Sequence, residues 1–267
     1  MSRPSLDHIV VLISHDTLLT LSDRLQHLFF VAPGGTHADG LTSNRLILLP
    51  DGVYIELIAF AKDADPEQRR KHRWGSRKEN TIIDWALTLP SERDFAAVQQ
   101  RVLASNAVFS YQNPVAGGRK RDDGAILEWV VSAARDAQGN AISPGSLPFW
   151  CLDRTPRHLR VPYQEQPDLT QHPSGVLGIS SLSVSVPEAQ LSDLSTVYDA
   201  IYPPAGSTGL PPLNWHYEVP SGSSVGKHNI SLSANKGDEG EPVVRLTFHG
   251  ETPGQVELLP GLIIAVE

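Results

Sequence analysis

The chain has 267 residues, enough to bury a substantial core in one large or two smaller domains. Its 30 acidic residues outnumber its 22 basic ones and leave a net charge of −8, which argues against nucleic acid or an anionic membrane as partner, because both attract clustered Lys and Arg. A single cysteine, Cys151, excludes an internal disulfide and a cysteine metal cluster, and no apolar run approaches the length of a membrane span.

Residues 6–13 read as a buried strand, short and rich in β-branched residues. Asp7 and His8 interrupt this run, so it is no signal-peptide core, and a cytoplasmic, reducing location is expected. Asp16 is placed to cap an amphipathic helix over 17–28, where Leu18, Leu21, Leu25 and Leu28 recur at helical spacing. Residues 29–31 read as a short strand and 33–40 (PGGTHADG) as a turn-rich loop. Strands over 45–49 and 53–60 flank the tight turn Pro50-Asp51-Gly52, a hairpin on which turn chemistry and flanks agree. The sum is βαβββ. The basic run from Arg69 to Arg73 reads as a solvated helix face, and Trp74 as a packing anchor for the connection that follows.

The pattern then recurs. Residues 81–89 form a strand, and Ser91 caps a helix over 92–104 with Phe95, Val98 and Val102 on one face. Next come a strand over 108–111, a loop over 116–124, and strands over 126–133 and 147–152. Gly34-Gly35 through Asp39-Gly40 is answered by Gly117-Gly118 through Asp123-Gly124, and Leu6-Asp7-His8 by Ile83-Asp84-Trp85. Element order, loop chemistry and strand opening repeat together, the mark of an internal duplication. Arg119, Lys120 and Arg121 replace the Thr-His-Ala of the first loop and read as solvated charge.

Residues 153–175 are polar and proline-rich and read as a linker or wrapping segment. A strand over 178–186, a helix over 188–201 behind Pro187, and strands over 215–219, 230–234, 243–248 and 256–259 form a third, degenerate unit. Its Ser181 and Glu257 stand in contexts like those of His8 and Glu56, on what reads as a solvated face.

The most informative residue is Glu56, a carboxylate in the middle of YIELIAF. Burying it unpaired is costly, so it must neutralise, pair or bind a cation. Side chains alternate along a strand, which puts His8, Val10 and Leu12 on one face and Tyr54, Glu56, Ile58 and Phe60 on another. Where those faces meet, an imidazole and a carboxylate can hold one divalent ion, form a metal-free polar site in which Glu56 is a base, or serve as a structural pair. His37 lies in the glycine-rich loop and is a third candidate, and Asn44 is placed to orient a bound oxygen or to cap its strand.

These residues resemble the vicinal oxygen chelate superfamily, and in particular the glyoxalase-like domain proteins common in fungi. The resemblance rests on Leu6-Asp-His-Ile-Val-Val, Pro33-Gly-Gly-x-His-Ala-Asp-Gly-x-Thr-x-Asn-Arg-Leu, Asp51-Gly-Val-Tyr-Ile-Glu-Leu-Ile-Ala-Phe, Arg73-Trp-Gly and Pro148-Phe-Trp-Cys. It implies an α+β fold of repeated βαβββ modules paired into a curved sheet like that of glyoxalase and dihydroxybiphenyl dioxygenase. Residues 1–160 would hold two modules, at about 5–60 and 80–155, with a linker over 161–175 and a third module over 176–267. Metal-using members take one ligand from the first and one from the last strand of each module. Carried over, module one supplies His8 and Glu56, whereas module two has Trp85 and Trp150, which do not ligate. Half of the set is missing, which weighs against glyoxalase activity in the strict sense. The two tryptophans then either wall a flat apolar substrate or plug the half-barrel.

The resulting expectation is an isomerase or lyase acting on a small, oxygenated, partly apolar molecule. Glu56 and His37 are its catalytic candidates, Asn44, Tyr54, Trp85 and Trp150 its substrate-binding ones, and His8 and Glu56 its metal ligands. One divalent ion is compatible with this set, as is a homodimer. No nucleotide cofactor is expected, since no phosphate-binding loop or dinucleotide strand–turn–helix is present. The alternative is a metal-free binding or sequestration protein of the same fold.

Overall fold

A computed structural model describes residues 3–121, 124–202, 212–222, 228–235 and 240–267. The first module comprises β1 (Ser5–Leu12), α1 (His15–Leu19), α2 (Leu21–Leu25), β2 (Ala32–Thr36), β3 (Thr42–Leu48) and β4 (Tyr54–Phe60). After α3 (Pro66–Lys71), the second comprises β5 (Thr81–Thr88), α4 (Phe95–Ala104), β6 (Ser110–Tyr111), β7 (Val115–Lys120), β8 (Ile126–Ser132), β9 (Ala134–Arg135) and β10 (Phe149–Asp153). The chain continues through α5 (Arg157–Arg160) to β11 (Val176–Val186), α6 (Glu188–Ile201), β12 (Leu213–His216), β13 (Asn229–Ala234), β14 (Val243–Gly250), β15 (Gly254–Leu259) and β16 (Leu262–Val266).

The two modules form one sheet in the order β2-β3-β4-β1-β5-β10-β8-β7. β1 runs parallel to β4 and β5 parallel to β10, and antiparallel β1–β5 pairing joins the halves. The sheet curls until its two edges meet, where His37 bridges Arg119 and the Ala38 N–H donates to the Gly118 carbonyl at 3.2 Å. A second sheet has the order β12-β13-β11-β14-β16-β15. It repeats the pairing of β3-β4-β1-β5-β10-β8, sense for sense, and among the described residues has no counterpart of the two edge strands that close the first. β11, α6, β12 and β13 thus carry the strand pairing of a module, and β14–β16 that of half a further one.

The outer face of the closed sheet, one face of the open sheet and the helices share one core. Ile9, Val11, Ile55, Leu57, Trp85 and Trp150 of the first sheet meet Leu182, Val184, Leu246 and Phe248 of the second there, with Phe95 and Tyr198 from α4 and α6. At about 1.5–3 kcal/mol for each fully buried large apolar side chain, this shared core is the main stabilising term. The inner face of the first sheet carries a separate cluster, including Val10, Leu12, Ile58, Ala86, Trp129, Phe149 and Cys151.

Several local expectations change. Ser14, not Asp16, caps the first helix by accepting from the Thr17 N–H at 3.1 Å, and the helix breaks at Thr20 into two short pieces. The glycine-rich segments expected as loops are strands β2 and β7. Glycine is required there by close approach: a Cβ on Gly34 would lie 2.1 Å from the Asn44 carbonyl oxygen, and one on Gly117 2.7 Å from the Trp129 indole nitrogen. Asp123 of the second loop lies outside the described residues, as do 203–211 of the third unit. Among the described residues, no helix is long and apolar enough to cross a membrane.

Asp51, at the tip of the β3–β4 turn, ties the sheets together. One carboxylate oxygen accepts from the Val53 N–H at 2.9 Å and the other from the Ile179 N–H of β11 at 3.0 Å. Gly178 makes room, since a Cβ there would sit 2.4 Å from the second oxygen. Burial outweighs these bonds and raises the Asp51 pKa from 3.8 to about 6. The folded state thus holds this proton more tightly than the unfolded chain. Its contribution is complete below about pH 4 and is lost as pH rises through about 6. Urea unfolding of wild type and Asp51→Asn across pH 4–7 should therefore show their stability difference falling, to the disadvantage of wild type, by roughly 3 kcal/mol.

Candidate active site

Alternation along the strands aims the polar residues inward. On β4, Ile55, Leu57 and Ala59 pack into the shared core, so Tyr54, Glu56 and Ile58 face the lumen of the curled sheet. On β1, Ile9 and Val11 face out, and His8 and Val10 face in. The lumen is a cavity of about 280 Å³ lined by His8, His37, Asn44, Tyr54, Glu56 and Arg119 on its polar side and by Trp74, Trp129 and Phe149 on its aromatic side.

Glu56 is 5% exposed. Its Oε1 accepts from Asn44 Nδ2 at 2.5 Å and faces His37 Nε2 at 3.6 Å, while Oε2 faces His8 Nε2 at 3.6 Å. One carboxylate thus lies between two imidazoles, with an amide fixing its rotamer. Asn44 Oδ1 in turn accepts from the Gly35 N–H and from Arg119 Nη1, both at 3.0 Å. His37 is held at its far nitrogen by Thr42 Oγ1 at 2.7 Å.

His8 is held from three sides. Its ring stacks on Tyr54 at 4.6 Å between centroids, and the edge of Phe149 lies at 5.3 Å. Its Nδ1 meets Asp7 Oδ2 at 2.6 Å. Neighbours on a regular strand point apart, but a register shift between Leu6 and His8 makes Asp7 a bulged residue and turns its carboxylate to the side of His8. Burial would push the Asp7 pKa up. The guanidiniums of Arg157 and Arg160, with His8, overcome this and hold it well below the usual carboxylate range. Arg160 also pairs with Asp153 at 2.7 Å and donates to Tyr54 Oη at 2.6 Å.

With Asp7 ionised, the proton of a neutral His8 belongs on Nδ1, and Nε2 presents a lone pair to Glu56 Oε2. This tautomer is assigned from the hydrogen-bond geometry. Two acceptors facing each other at 3.6 Å in a buried site call for a proton or a cation between them.

The donor set fits a metal only in part. His8 and Glu56 form a two-point clasp, and Asp7 supports His8 as carboxylates support metal-bound imidazoles. The second module adds no matching pair. Among the described residues, the one group of three potential ligands whose donor atoms lie within 4.8 Å of one another is Asp7, His8 and Cys151. In that group Asp7 is taken by two arginines, and burial raises the pKa of the Cys151 thiol well above its ordinary value.

His8, His37, Asn44, Tyr54 and Glu56 therefore line one cavity. Trp85 and Trp150 do not, and their assignment to substrate binding is corrected. His8 pairs across the β1–β5 ladder with Ala86, so Ala86 shares its face and Trp85 points to the opposite one. Aligning the motifs by sequence overlooks the second register shift, beyond Val10, and misplaces the facing residue by one. On β10 it is Phe149 and Cys151 that face the lumen, while Trp150 packs on Phe95 at 5.2 Å. Trp85 lies against Tyr198 at 6.2 Å.

Two arginines expected in solvent are also corrected. Arg73 pairs with the fully buried Asp84 at 2.6 Å and lines the cavity beside Trp74, whose indole donates to the same carboxylate at 2.8 Å. Arg119 is 6% exposed, and burial lowers its pKa. Reading 115–120 as a strand rather than a loop would have placed Arg119 inward with Gly117, which is the signal that was available. Ser181 and Glu257 stay away from the cavity, Glu257 being exposed and accepting from the Gly261 N–H at 3.0 Å.

A closed eight-stranded sheet of paired modules around a buried histidine and glutamate agrees with the comparison of the chain with known families, where residues 6–200 match the glyoxalase-like domain. The chain belongs to that family. No curated protein matches this glyoxalase-like chain at a significant level. Among solved structures, a hypothetical protein from Staphylococcus aureus aligns over 99% of both chains at 14% identity with a TM-score of 0.67. A mutant of 4-hydroxymandelate synthase from Streptomyces coelicolor aligns at 11% identity and TM-score 0.51, over 93% of this chain and 72% of its own. A xylose isomerase-like TIM barrel/4-hydroxyphenylpyruvate dioxygenase fusion protein aligns with the same identity and score over 93% of this chain but 36% of its own. At these identities the likeness is one of fold, and the chemistry rests on the site.

The corrected tryptophans give a direct check. Trp150→Ala should cost about 3–5 kcal/mol in urea unfolding, because it empties the shared core. Trp129→Ala should cost distinctly less, because it only widens an existing cavity, while changing ligand affinity more.

Proposed function

We propose that this glyoxalase-like protein is an enzyme of isomerase or lyase type that moves a proton on a small, oxygenated, partly apolar molecule, with Glu56 as the general base. The observation that carries this reading is the buried Glu56 carboxylate with His8 Nε2 and His37 Nε2 each 3.6 Å from one of its oxygens. A base must be shielded, oriented and able to exchange its proton with a neighbour. Burial shields Glu56, the 2.5 Å bond from Asn44 orients it, and the imidazoles are the neighbours. Trp74, Trp129 and Phe149 offer apolar surface for the remainder of the substrate. The Arg119 guanidinium, which also lines the cavity, would stabilise negative charge on a substrate oxygen as a proton leaves the adjacent carbon.

A second reading is favoured by the Asp7–His8 bond at 2.6 Å. His8 and Glu56 would hold one divalent ion, with His37 on the opposite oxygen as an added donor. Such an ion would polarise a substrate carbonyl.

Proton exchange separates enzyme from binding protein. Carbonyl compounds incubated with the protein in D₂O should exchange their α-hydrogens, as followed by NMR, and Glu56→Gln should slow this by about 10²–10⁴-fold. Binding without exchange in wild type would instead make the chain a sequestration protein. Metal analysis of the same two samples decides the second reading: stoichiometric metal in wild type and none in Glu56→Gln would establish it.

A further inference from the structure

We infer that Arg119 anchors a carboxylate of the substrate, and that a second pocket behind it receives an apolar chain or ring. The ligand class is thus a small organic acid with a hydrophobic tail. This rests on the lumen beside Glu56 being the reacting site.

The argument starts from an uncompensated charge. Arg119 is 6% exposed, yet the only hydrogen bond of its side chain among the described residues is from Nη1 to Asn44. Its Nε is buried with no partner, and no described carboxylate lies within ion-pair distance of it. Elsewhere in the site the pattern is opposite: Arg160 is paired with Asp7 and Asp153, and Arg73 with Asp84. A buried guanidinium left with an idle donor is costly unless a ligand completes it. Glu56 sits on the far side of the Asn44 amide and attracts Arg119 without touching it.

The surroundings define the ligand. Arg119, Arg160 and Leu46 are shared between the lumen and a neighbouring pocket of about 230 Å³. That pocket has Leu46, Leu48, Leu159 and Leu169 as walls and no acidic residue in its lining. Apolar walls with a cationic edge suit an amphipathic anion. One idle guanidinium next to a carboxylate suits a monoanion: the second charge of a dianionic phosphate would face Glu56. With its carboxylate at Arg119, such an acid can place an oxygenated carbon beside Glu56 and its tail among the leucines.

The test is calorimetric titration with hexanoate, its neutral counterpart hexanamide, and hexyl phosphate. Hexanoate should bind wild type at least about tenfold more tightly than hexanamide, since only the charged group completes the guanidinium. Arg119→Gln should erase that preference and Arg119→Lys should keep part of it. Leu48→Trp should weaken hexanoate and spare acetate. Equal binding of acid and amide by wild type, or a preference unchanged in Arg119→Gln, overturns the anchor. Tighter binding of hexyl phosphate than hexanoate overturns the carboxylate class. If Arg119→Gln does not fold, Arg119→Lys with the acid–amide comparison in wild type decides. Glu56→Gln separates this inference from the one it rests on. It should bind hexanoate at least as well as wild type while losing α-hydrogen exchange. Exchange that survives in Glu56→Gln would refute the base and leave the anchor standing.

Discussion

One carboxylate in an otherwise apolar strand organises this molecule. All seven residues of β4 are buried, and Glu56 is the charged one among them. Its burial is tolerable because Asn44 and two imidazoles converge on it, and each of these is held in turn. His8 leans on Asp7, Asp7 on Arg157 and Arg160, and Arg160 on Asp153. From Asp7 outward charge alternates, so each of these buried ions has an opposite neighbour. Removing any one member strands the next, which is why such networks fix a single arrangement rather than add much stability.

Closure of the sheet is the second requirement. Both sheets have the same order of central strands and the same parallel and antiparallel senses. In β11, Ser181 pairs with Asn229 and Thr247, as His8 of β1 pairs with Tyr54 and Ala86. The second sheet thus presents a hydroxyl where the first presents an imidazole. Among the described residues it has no counterparts of β2 and β7. The difference is carried by glycines: β2 and β7 can press against their neighbours only because Gly34 and Gly117 have no Cβ to collide with Asn44 and Trp129.

How far the sequence could be read follows from the same features. Module order, the β3–β4 hairpin, the helix behind Pro187 and the inward face of β4 were legible, since period, turn chemistry and an out-of-place Glu56 all act locally. The edge strands were not, because glycines that permit close strand contact look like loop glycines until the partner strand is known. Nor were the bulges at Asp7 and beyond Val10, which shift facing by one residue and exchange Trp85 for Ala86. Arg73, Arg119 and Arg160 share a cause of another kind. A buried arginine and a solvated one have the same sequence signature, and what distinguishes them is an acid or a cavity brought near by the fold. Asp84 lies eleven residues from Arg73, and Asp7 is separated from Arg160 by most of the two modules.

The duplicated modules have diverged into complementary halves. The first contributes the imidazole, amide and carboxylate groups His8, His37, Asn44 and Glu56. The second, with the connections before and after it, contributes cations and aromatic surface: Arg73, Trp74, Arg119, Trp129, Phe149 and Arg160. A symmetric pair of half-barrels would place like groups opposite each other, which suits a metal ion that draws equal ligands from both sides. Here a carboxylate faces a guanidinium across one amide, so the lumen has a negative pole and a positive pole. Under the proposed function, such a field would favour a substrate that is itself polarised, with its acidic hydrogen turned to Glu56 and its oxygens turned to Arg119. The two poles are locked in place where the edges of the sheet meet, at the His37–Arg119 bridge. The contact that closes the barrel is therefore also the one that sets the distance between Glu56 and Arg119.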